Sequence, residues 1–230
     1  THLSERSTLT LNLGAFSSAW DASGQLPQRA VESGAIGRWG AIDDLEGGTT
    51  GRRNLNLTFR SIGRNNSDFT AQAYLSRYDF KLFSNFTFYL EDPLLGDMIE
   101  QVDDRQLFGL RSDYSFYHNL GPMLVRATLG GGMRGDDTDV ALWKNNGRAR
   151  SRPMVDSRVL ERNFHMWGRE EIFLNSQWRL MLGLRADYFT FNVADRLEGK
   201  PADLPHASGY AQSRVLSPKV MLAYSPRRSL

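Results

Sequence analysis

The segment from Phe69 to Tyr117 alternates apolar and polar residues more regularly than any other part of the chain. The alternation runs to Leu90, an acidic stretch with Pro and Gly follows, and alternation resumes at Gln106. A period of two residues is the pattern of a β-strand whose two faces meet different surroundings. The segment therefore predicts a very long β-hairpin with bulky apolar side chains on one face and arginines on the other.

The same period extends over most of the chain, whereas helical periodicity is weak and has one modest candidate, Leu26–Ile36. About eight strands are predicted from this pattern. They are Ser7–Trp20, Thr49–Ile62, Ser67–Leu90, Asp103–Tyr117, Met123–Arg134, Asn163–Leu174, Trp178–Asn192 and Ser213–Tyr224.

Connections of two lengths alternate between these strands. Tight turns are predicted at Gly63–Asn66, His118–Gly121 and Asn175–Gln177. The long polar links are Asp21–Gly48, Glu91–Val102, Gly135–Arg162 and Val193–Gln212. All tight turns then lie on one side of the sheet, which is typical of an all-β, antiparallel up-and-down transmembrane β-barrel. A soluble β-sandwich would mix loop lengths at both ends.

Composition fits a barrel once the two faces are considered separately. The mean hydropathy is −0.45, the net charge is +2, and no run approaches the roughly 18 apolar residues of a transmembrane helix. A barrel strand shows lipid only every second residue, so its average is polar. The chain has no cysteine, which excludes disulfides and thiolate metal sites. Its first residues do not form a signal peptide, so we expect a processed chain or an internal piece.

The two faces of the predicted strand Trp178–Asn192 differ as lipid and water would require. One face carries leucines between two aromatic residues, Trp178 and Tyr188, and the other carries charges. Such a polar face would line a wet lumen. The charged residues of this inward parity along the chain are Arg60, Arg105, Arg111, Asp113, Arg126, Arg169, Glu171, Arg179, Arg185 and Asp187. A cross-strand ion-pair ladder is the favoured interpretation, and an electropositive path for an anionic chelate is the alternative.

Two places depart from this scheme. Ser67–Leu90 is about twice the 9–11 residues of a transmembrane strand, and its apolar parity changes along its length. We therefore expect a bulge or bend near Ser76–Asp79, with the second half rising above the bilayer. Glu170 shares parity with the apolar residues Met166 and Ile172, which requires either a position near the interface or a local bulge.

Several stretches resemble TonB-dependent outer-membrane receptors of the ferric-siderophore type. They are "SGQLPQRAVESGAIGRWGAIDDLEGG", "LFSNFTFYLEDPLLGDMIEQVDDRQLFGL", "LMLGLRADYFTFNV" and "LSPKVMLAYSP". The resemblance implies a barrel of about 22 strands plugged by an N-terminal domain. It also implies import of a scarce nutrient, most often a ferric siderophore, driven by the TonB complex.

The chain resembles a middle section of that barrel, because no plug and no closing C-terminal strand are recognisable in residues 1–230. The expected partners are membrane lipid, a ferric siderophore or similar chelate, and, in the full-length protein, its own plug and the TonB complex. An alternative is a complete eight-stranded barrel acting as anchor or adhesin, in which Ser7–Trp20 would pair with Ser213–Tyr224. A third possibility, an outer-membrane enzyme, would need a nucleophile and a base.

Among loop residues, Arg38, Trp39, Trp143 and Lys144 are the ligand-binding candidates, since aromatic side chains beside cations can hold an anionic aromatic chelate. No catalytic spacing is found, so no enzymatic activity is expected. Neither a cofactor, a metal site nor a nucleic-acid partner is expected. The four histidines His2, His118, His165 and His206 are scattered, which favours structural or solvated roles.

Overall fold

A single antiparallel sheet makes up nearly all of the structure. The computed structural model describes residues 2–63, 65–199 and 207–226. The strands are β1 His2–Ser4, β2 Ser7–Asp21, β3 Gly47–Ile62, β4 Asp68–Ser84, β5 Ile99–Leu120, β6 Met123–Asn146, β7 Ala149–Phe173, β8 Trp178–Asp195 and β9 Gly209–Tyr224. A short helix, α1 (Gln28–Glu32), lies between β2 and β3. This is the predicted all-β meander, with the short additional strand β1 folded back on β2.

The strands follow one another in sequence order from β1 to β9, each pairing with its neighbours in the chain. Within the described residues, β2 pairs with β1 and β3, and β9 pairs with β8. The sheet is therefore open. The pairing between Ser7–Trp20 and Ser213–Tyr224, which a complete eight-stranded barrel needs, is not formed.

The predicted long link Gly135–Arg162 is wrong. β6 and β7 run through it as a continuous ladder, with Gly135 opposite Arg162 and Asp139 opposite Arg158, until bulges near Trp143. The connection is reduced to Gly147 and Arg148, and Gly147 adopts φ +55°, a conformation that suits glycine. The prediction failed because charges occur on both faces here, which removes the apolar alternation.

The bulge predicted near Ser76–Asp79 is also wrong. β4 pairs with β3 and with β5 residue by residue over its whole length, and it ends at Ser84 rather than at Leu90. The change of parity has another cause: the apolar side chains move from one face of a regular strand to the other.

Registers and parity divide the sheet into two faces and two halves. The turn half lies next to the tight turns and the loop half next to the long connections. We call "apolar face" the side that carries Leu57, Ala73, Leu110 and Leu184 in the turn half, and "polar face" the opposite side. In the loop half this same side of the sheet carries charged residues instead. They are Arg53, Arg77, Asp79, Asp104, Asp137, Asp139 and Arg158.

The turn half has little core in the usual sense. Only a few apolar side chains, Val125 and Ile172 among them, are buried. By contrast, Met166 and Val220 on the apolar face remain 70% and 74% exposed. A contiguous apolar surface of this kind marks a region that another apolar phase covers.

The position of Glu170 follows the predicted parity without a bulge. It lies opposite Ala127 and Leu182 in regular ladders, on the apolar face close to the turn end. Its Oε1 is 3.9 Å from Nε2 of His118. In the part of the chain that the structure describes, no helix is long and apolar enough to cross a membrane.

Candidate ligand-binding surface

An aromatic cluster with one cation lies on the polar face of the loop half. Tyr78 and Phe80, two residues apart on β4, stack with ring centroids 6.2 Å apart and planes 12° apart. Trp20 of β2 adds a third ring 6.1 Å from Phe80. The guanidinium carbon of Arg52 lies 5.5 Å from the centre of the Tyr78 ring. We call these four residues the aromatic cluster.

The register explains why the rings meet. Arg52 lies directly opposite Tyr78, and Trp20 lies opposite Gly48. A Cβ on Gly48 would come within 2.8 Å of the Trp20 ring and 2.3 Å of the Lys81 carbonyl oxygen, so only glycine lets the indole lie against the sheet. Flat π faces beside a guanidinium can bind a planar anionic ligand.

The sequence reasoning missed this cluster. The signal was present in the parity change within Ser67–Leu90, which moves Tyr78 and Phe80 to the face of the charged residues. The predicted bulge does not form, and the parity change instead produces an aromatic patch on the polar face.

A groove of about 800 Å³ lies on the polar face of the turn half. It brings together several of the predicted lumen charges from β5, β7 and β8, and adds Lys219 from β9. Its polar and aromatic lining side chains include Arg111, Asp113, His165, Trp167, Arg169, Arg185 and Lys219. The positive charges outnumber the carboxylates there, so the groove attracts anions.

Several predicted lumen charges, among them Arg60, Arg105, Arg179 and Arg185, form ion pairs on the polar face, and most pairs described there run along a strand rather than across strands. Arg105 with Asp103, Arg134 with Asp136, and Arg185 with Asp187 are pairs two residues apart, at 2.8, 2.7 and 2.7 Å. Cross-strand pairs join Arg179 to Glu171 at 2.9 Å, and Arg60 to Asp68. The Nε atoms of Arg126 and Arg169 are buried without a hydrogen-bond partner among the described residues.

The predicted loop candidates are not brought into one site. Arg38 and Trp39 lie in the connection between β2 and β3, where the Trp39 side chain is 89% exposed. Trp143 and Lys144 belong to strand β6 instead of a loop. The Trp143 ring lies 4.7 Å from the Arg150 guanidinium, and Lys144 Nζ is 3.3 Å from Asp97 Oδ1.

Lys144 links residues 85–98 to the sheet through its ion pair with Asp97. Within the sheet, Arg150 of β7 binds Glu100 of β5 with Nε and Nη2 at 2.7 and 2.9 Å, and this hydrogen bonding lowers the pKa of Glu100. Backbone N–H groups of Glu91 and Asp92, with further help from Lys144, lower the pKa of Asp97 to about 2. The segment is therefore fixed by charged hydrogen bonds.

Among the described residues, no three His, Asp or Glu side chains converge as a metal site made of those residues would require. His118 and His165 lie far apart on different faces, His2 lies in β1, and His206 is outside the described residues.

Three solved structures similar to this chain are named as transporters or receptors. The ferric citrate transporter FecA in its unliganded form has a TM-score of 0.78 at 13% identity, covering 98% of this chain and 32% of its own. The copper transporter OprC gives 0.69 at 15% identity, covering 98% and 33%. The siderophore receptor PiuA from Acinetobacter baumannii gives 0.57 at 13% identity, covering 94% and 37%.

The chain spans 32–37% of the length of these structures, so it corresponds to a part of their barrels. No curated protein sequence matches it. At such low identity the structural likeness establishes the fold. The family model described as "TonB dependent receptor-like, beta-barrel" matches residues 2–230, and the chain therefore belongs to the TonB-dependent receptor family as a section of its β-barrel.

Proposed function

We propose that residues 1–230 are a section of the barrel domain of an outer-membrane receptor that takes up a metal chelate, most specifically a ferric siderophore, by TonB-dependent transport. The observation that carries this proposal is the aromatic cluster with Arg52, which lies on the polar face above the apolar band. A ferric siderophore is commonly a bulky anion with flat donor groups, and aromatic rings beside a guanidinium suit that chemistry.

The apolar face of the turn half supports a membrane location. Trp178 and Tyr188 lie on this face at the two ends of the leucine stripe of β8. At about 3.3 Å per residue and a tilt of about 40°, their separation of about ten residues corresponds to a height of about 25 Å. That is the height of the apolar band of a membrane barrel.

The polar face of the turn half would then line the lumen. In the full-length receptor we expect a plug domain to contact this groove, since Arg111 and Arg169, which form no ion pair with a described residue, would be matched there by carboxylates or carbonyl oxygens. In the same receptor we expect the TonB complex to supply the energy for uptake. An anchor or adhesin formed by a small closed barrel receives no support from the open strand order.

Binding by the full-length receptor tests the ligand assignment. Tyr78→Ala should weaken binding of the ferric complex of 2,3-dihydroxybenzoate by about tenfold, a loss in the range of a desolvated aromatic or cation–π contact. Arg77→Ala is the matched control, because Arg77 is the neighbouring residue on the opposite face. Tryptophan fluorescence quenching measures both affinities.

Equal affinities for the two variants would contradict the role of the cluster. Ferric citrate, which has no ring, provides a second comparison. If Tyr78→Ala weakens citrate binding as strongly as dihydroxybenzoate binding, the cluster recognises charge rather than aromatic donors.

A further inference from the structure

Buried carboxylates in this protein have cationic partners, with one exception among the described residues. Asp97 pairs with Lys144, Glu100 with Arg150 and Lys81, Asp136 with Arg134, and Glu171 with Arg179. Glu46 is equally buried, at 5% exposure, and forms no ion pair with a described Lys, Arg or His. A buried carboxylate without a counter-charge is unfavourable. Burial accordingly raises the pKa of Glu46.

Asn85 supplies a second, independent observation at the same place. Its Nδ2 donates to Asp43 Oδ2 at 2.7 Å, and its backbone N–H donates to the carboxylate of Glu46. The residue is 4% exposed, and its Oδ1 is buried without a hydrogen-bond partner. Asn85 thus contacts two carboxylates, Asp43 through its side chain and Glu46 through its backbone, and its own side-chain oxygen has no partner among the described residues. A half-turn of the amide exchanges Nδ2 with Oδ1 and brings the oxygen beside Asp43.

The backbone around Glu46 leaves room for its side chain. Gly24 adopts φ +59°, and a Cβ on it would lie 2.5 Å from Glu46 Oε1. The N–H of Glu46 donates to the Asp43 carbonyl oxygen at 3.2 Å, and its carbonyl oxygen accepts from the N–H of Ala22 at 3.1 Å. Asp43 and Glu46 are therefore held in one turn, with the Glu46 carboxylate packed against a residue that has no side chain.

We propose that Asp43, Glu46 and the side-chain oxygen of Asn85 form a Ca²⁺ site that joins the connection between β2 and β3 to the end of β4. All three donors are oxygens, and two carboxylates balance the charge of a divalent cation. Ca²⁺ accepts six to eight oxygen ligands in irregular geometry, with water and carbonyl groups completing the shell, whereas Mg²⁺ requires a near-ideal octahedron. The ion would fix the connection that carries Arg38 and Trp39.

The full-length receptor, stripped of divalent cations in detergent, provides the test. Tb³⁺ binds at Ca²⁺ sites, and its luminescence is excited by a nearby indole; the Trp20 ring packs against Gly48, two residues from Glu46. We expect a saturable Tb³⁺ signal that Ca²⁺ displaces, with a Ca²⁺ dissociation constant of about 10⁻⁴–10⁻³ M, the range of extracellular sites. Ca²⁺ should also slow tryptic cleavage after Arg29 and Arg38.

The variants separate a ligand from a merely buried acid. Glu46→Gln should weaken Ca²⁺ binding by at least about tenfold, because it removes one of two charged ligands. Asp44→Asn, which neutralises the exposed neighbouring carboxylate, should leave binding unchanged. Asn85→Asp should strengthen binding, since it adds a charge at the third ligand.

The proposal is overturned if the wild-type receptor shows no saturable Tb³⁺ signal displaced by Ca²⁺, a result that requires no variant to fold. It is equally overturned if Glu46→Gln and Asp44→Asn bind Ca²⁺ alike. Either outcome would mean that Glu46 is buried in its neutral form, and neither would affect the chelate binding proposed for the aromatic cluster.

Discussion

The turn half and the loop half of the sheet use the same ladders to carry opposite surfaces. In the turn half, leucines occupy one face and arginines the other. In the loop half, the face that carried leucines holds ion pairs such as Arg158–Asp137 and Arg77–Asp104, at 2.6 and 3.1 Å. The opposite face there carries the stacked rings of Tyr78 and Phe80.

This difference shows that the side-chain chemistry of a face can change along a strand whose pairing does not change. β4 passes from one half to the other without a bulge, so the backbone does not mark the transition. The transition lies instead where the apolar face changes from Leu75 to Arg77. With the membrane location proposed above, this change marks the expected height of the membrane surface.

The largest expected effect tests the apolar face within the band. Leu184→Arg places a charge near the middle of the stripe on β8 and should lower the free energy of unfolding by about 2–4 kcal/mol, because lipid cannot solvate the guanidinium. Met181→Arg, on the polar face of the same strand, should cost much less. Both variants are made in a Glu170→Gln background, so that the carboxylate of Glu170, which lies on the apolar face opposite Leu182, cannot pair with the new arginine. Urea titration of the full-length barrel in lipid vesicles measures both, and equal losses would contradict the assigned faces.

A second comparison lies within the loop half, between a buried and an exposed ion pair. Arg150→Gln leaves the Glu100 carboxylate, 2% exposed, without its two main hydrogen bonds and should cost about 1–3 kcal/mol. Arg158→Gln breaks a pair whose partners are 50% and 26% exposed, and should cost less than Arg150→Gln because water screens the pair. Thermal unfolding of the two variants gives the order, and the reverse order would contradict the greater contribution of the buried pair.

Acid should loosen residues 85–98 before it affects the turn half. The pKa of Asp97 is lowered from 3.8 to about 2, so its stabilising hydrogen bonds are complete above about pH 4 and are lost as the pH falls towards 2. Pepsin cleavage near Phe86–Leu95 should increase over that interval. In Asp97→Asn the segment should be cleaved equally across it, and a wild-type rate without pH dependence beyond that of pepsin itself would argue against Asp97.

The smallest effect is expected for Asn192→Arg, which is compared with Leu184→Arg on the same face of the same strand. Asn192 lies on the apolar face of β8, above Tyr188, at an exposed position. We expect a change within about 0.5 kcal/mol, because water solvates the new charge there. A loss comparable to that of Leu184→Arg would place Asn192 inside the apolar band and move the membrane surface upward.

The sequence predicted the strands well wherever one face is uniformly apolar. The predicted strand Ser7–Trp20 corresponds to β2, which ends at Asp21, and the predicted strand Trp178–Asn192 to β8, which ends at Asp195. The candidate helix Leu26–Ile36 contains α1. In these regions one face is apolar and the other polar, so the residues alternate with the period of a strand.

Prediction failed in the loop half because polar side chains occur on both faces there. Residues 135–162 carry carboxylates and arginines on either side, and local pattern then cannot distinguish a strand from a polar loop. The aromatic cluster and the site at Glu46 depend on register and on contacts between distant segments, such as Asn85 with Asp43. Such contacts leave no periodic trace in the sequence.

Three ion pairs of the polar face each lie within a single strand: Arg105–Asp103, Arg134–Asp136 and Arg185–Asp187. A strand that balances its own charge does not depend on which strand lies next to it. Hairpins carrying such pairs can be duplicated, lost or exchanged without leaving an orphan charge on a neighbour. A wall of this type can change its circumference over evolutionary time by whole hairpins, while each such pair stays intact within its own strand.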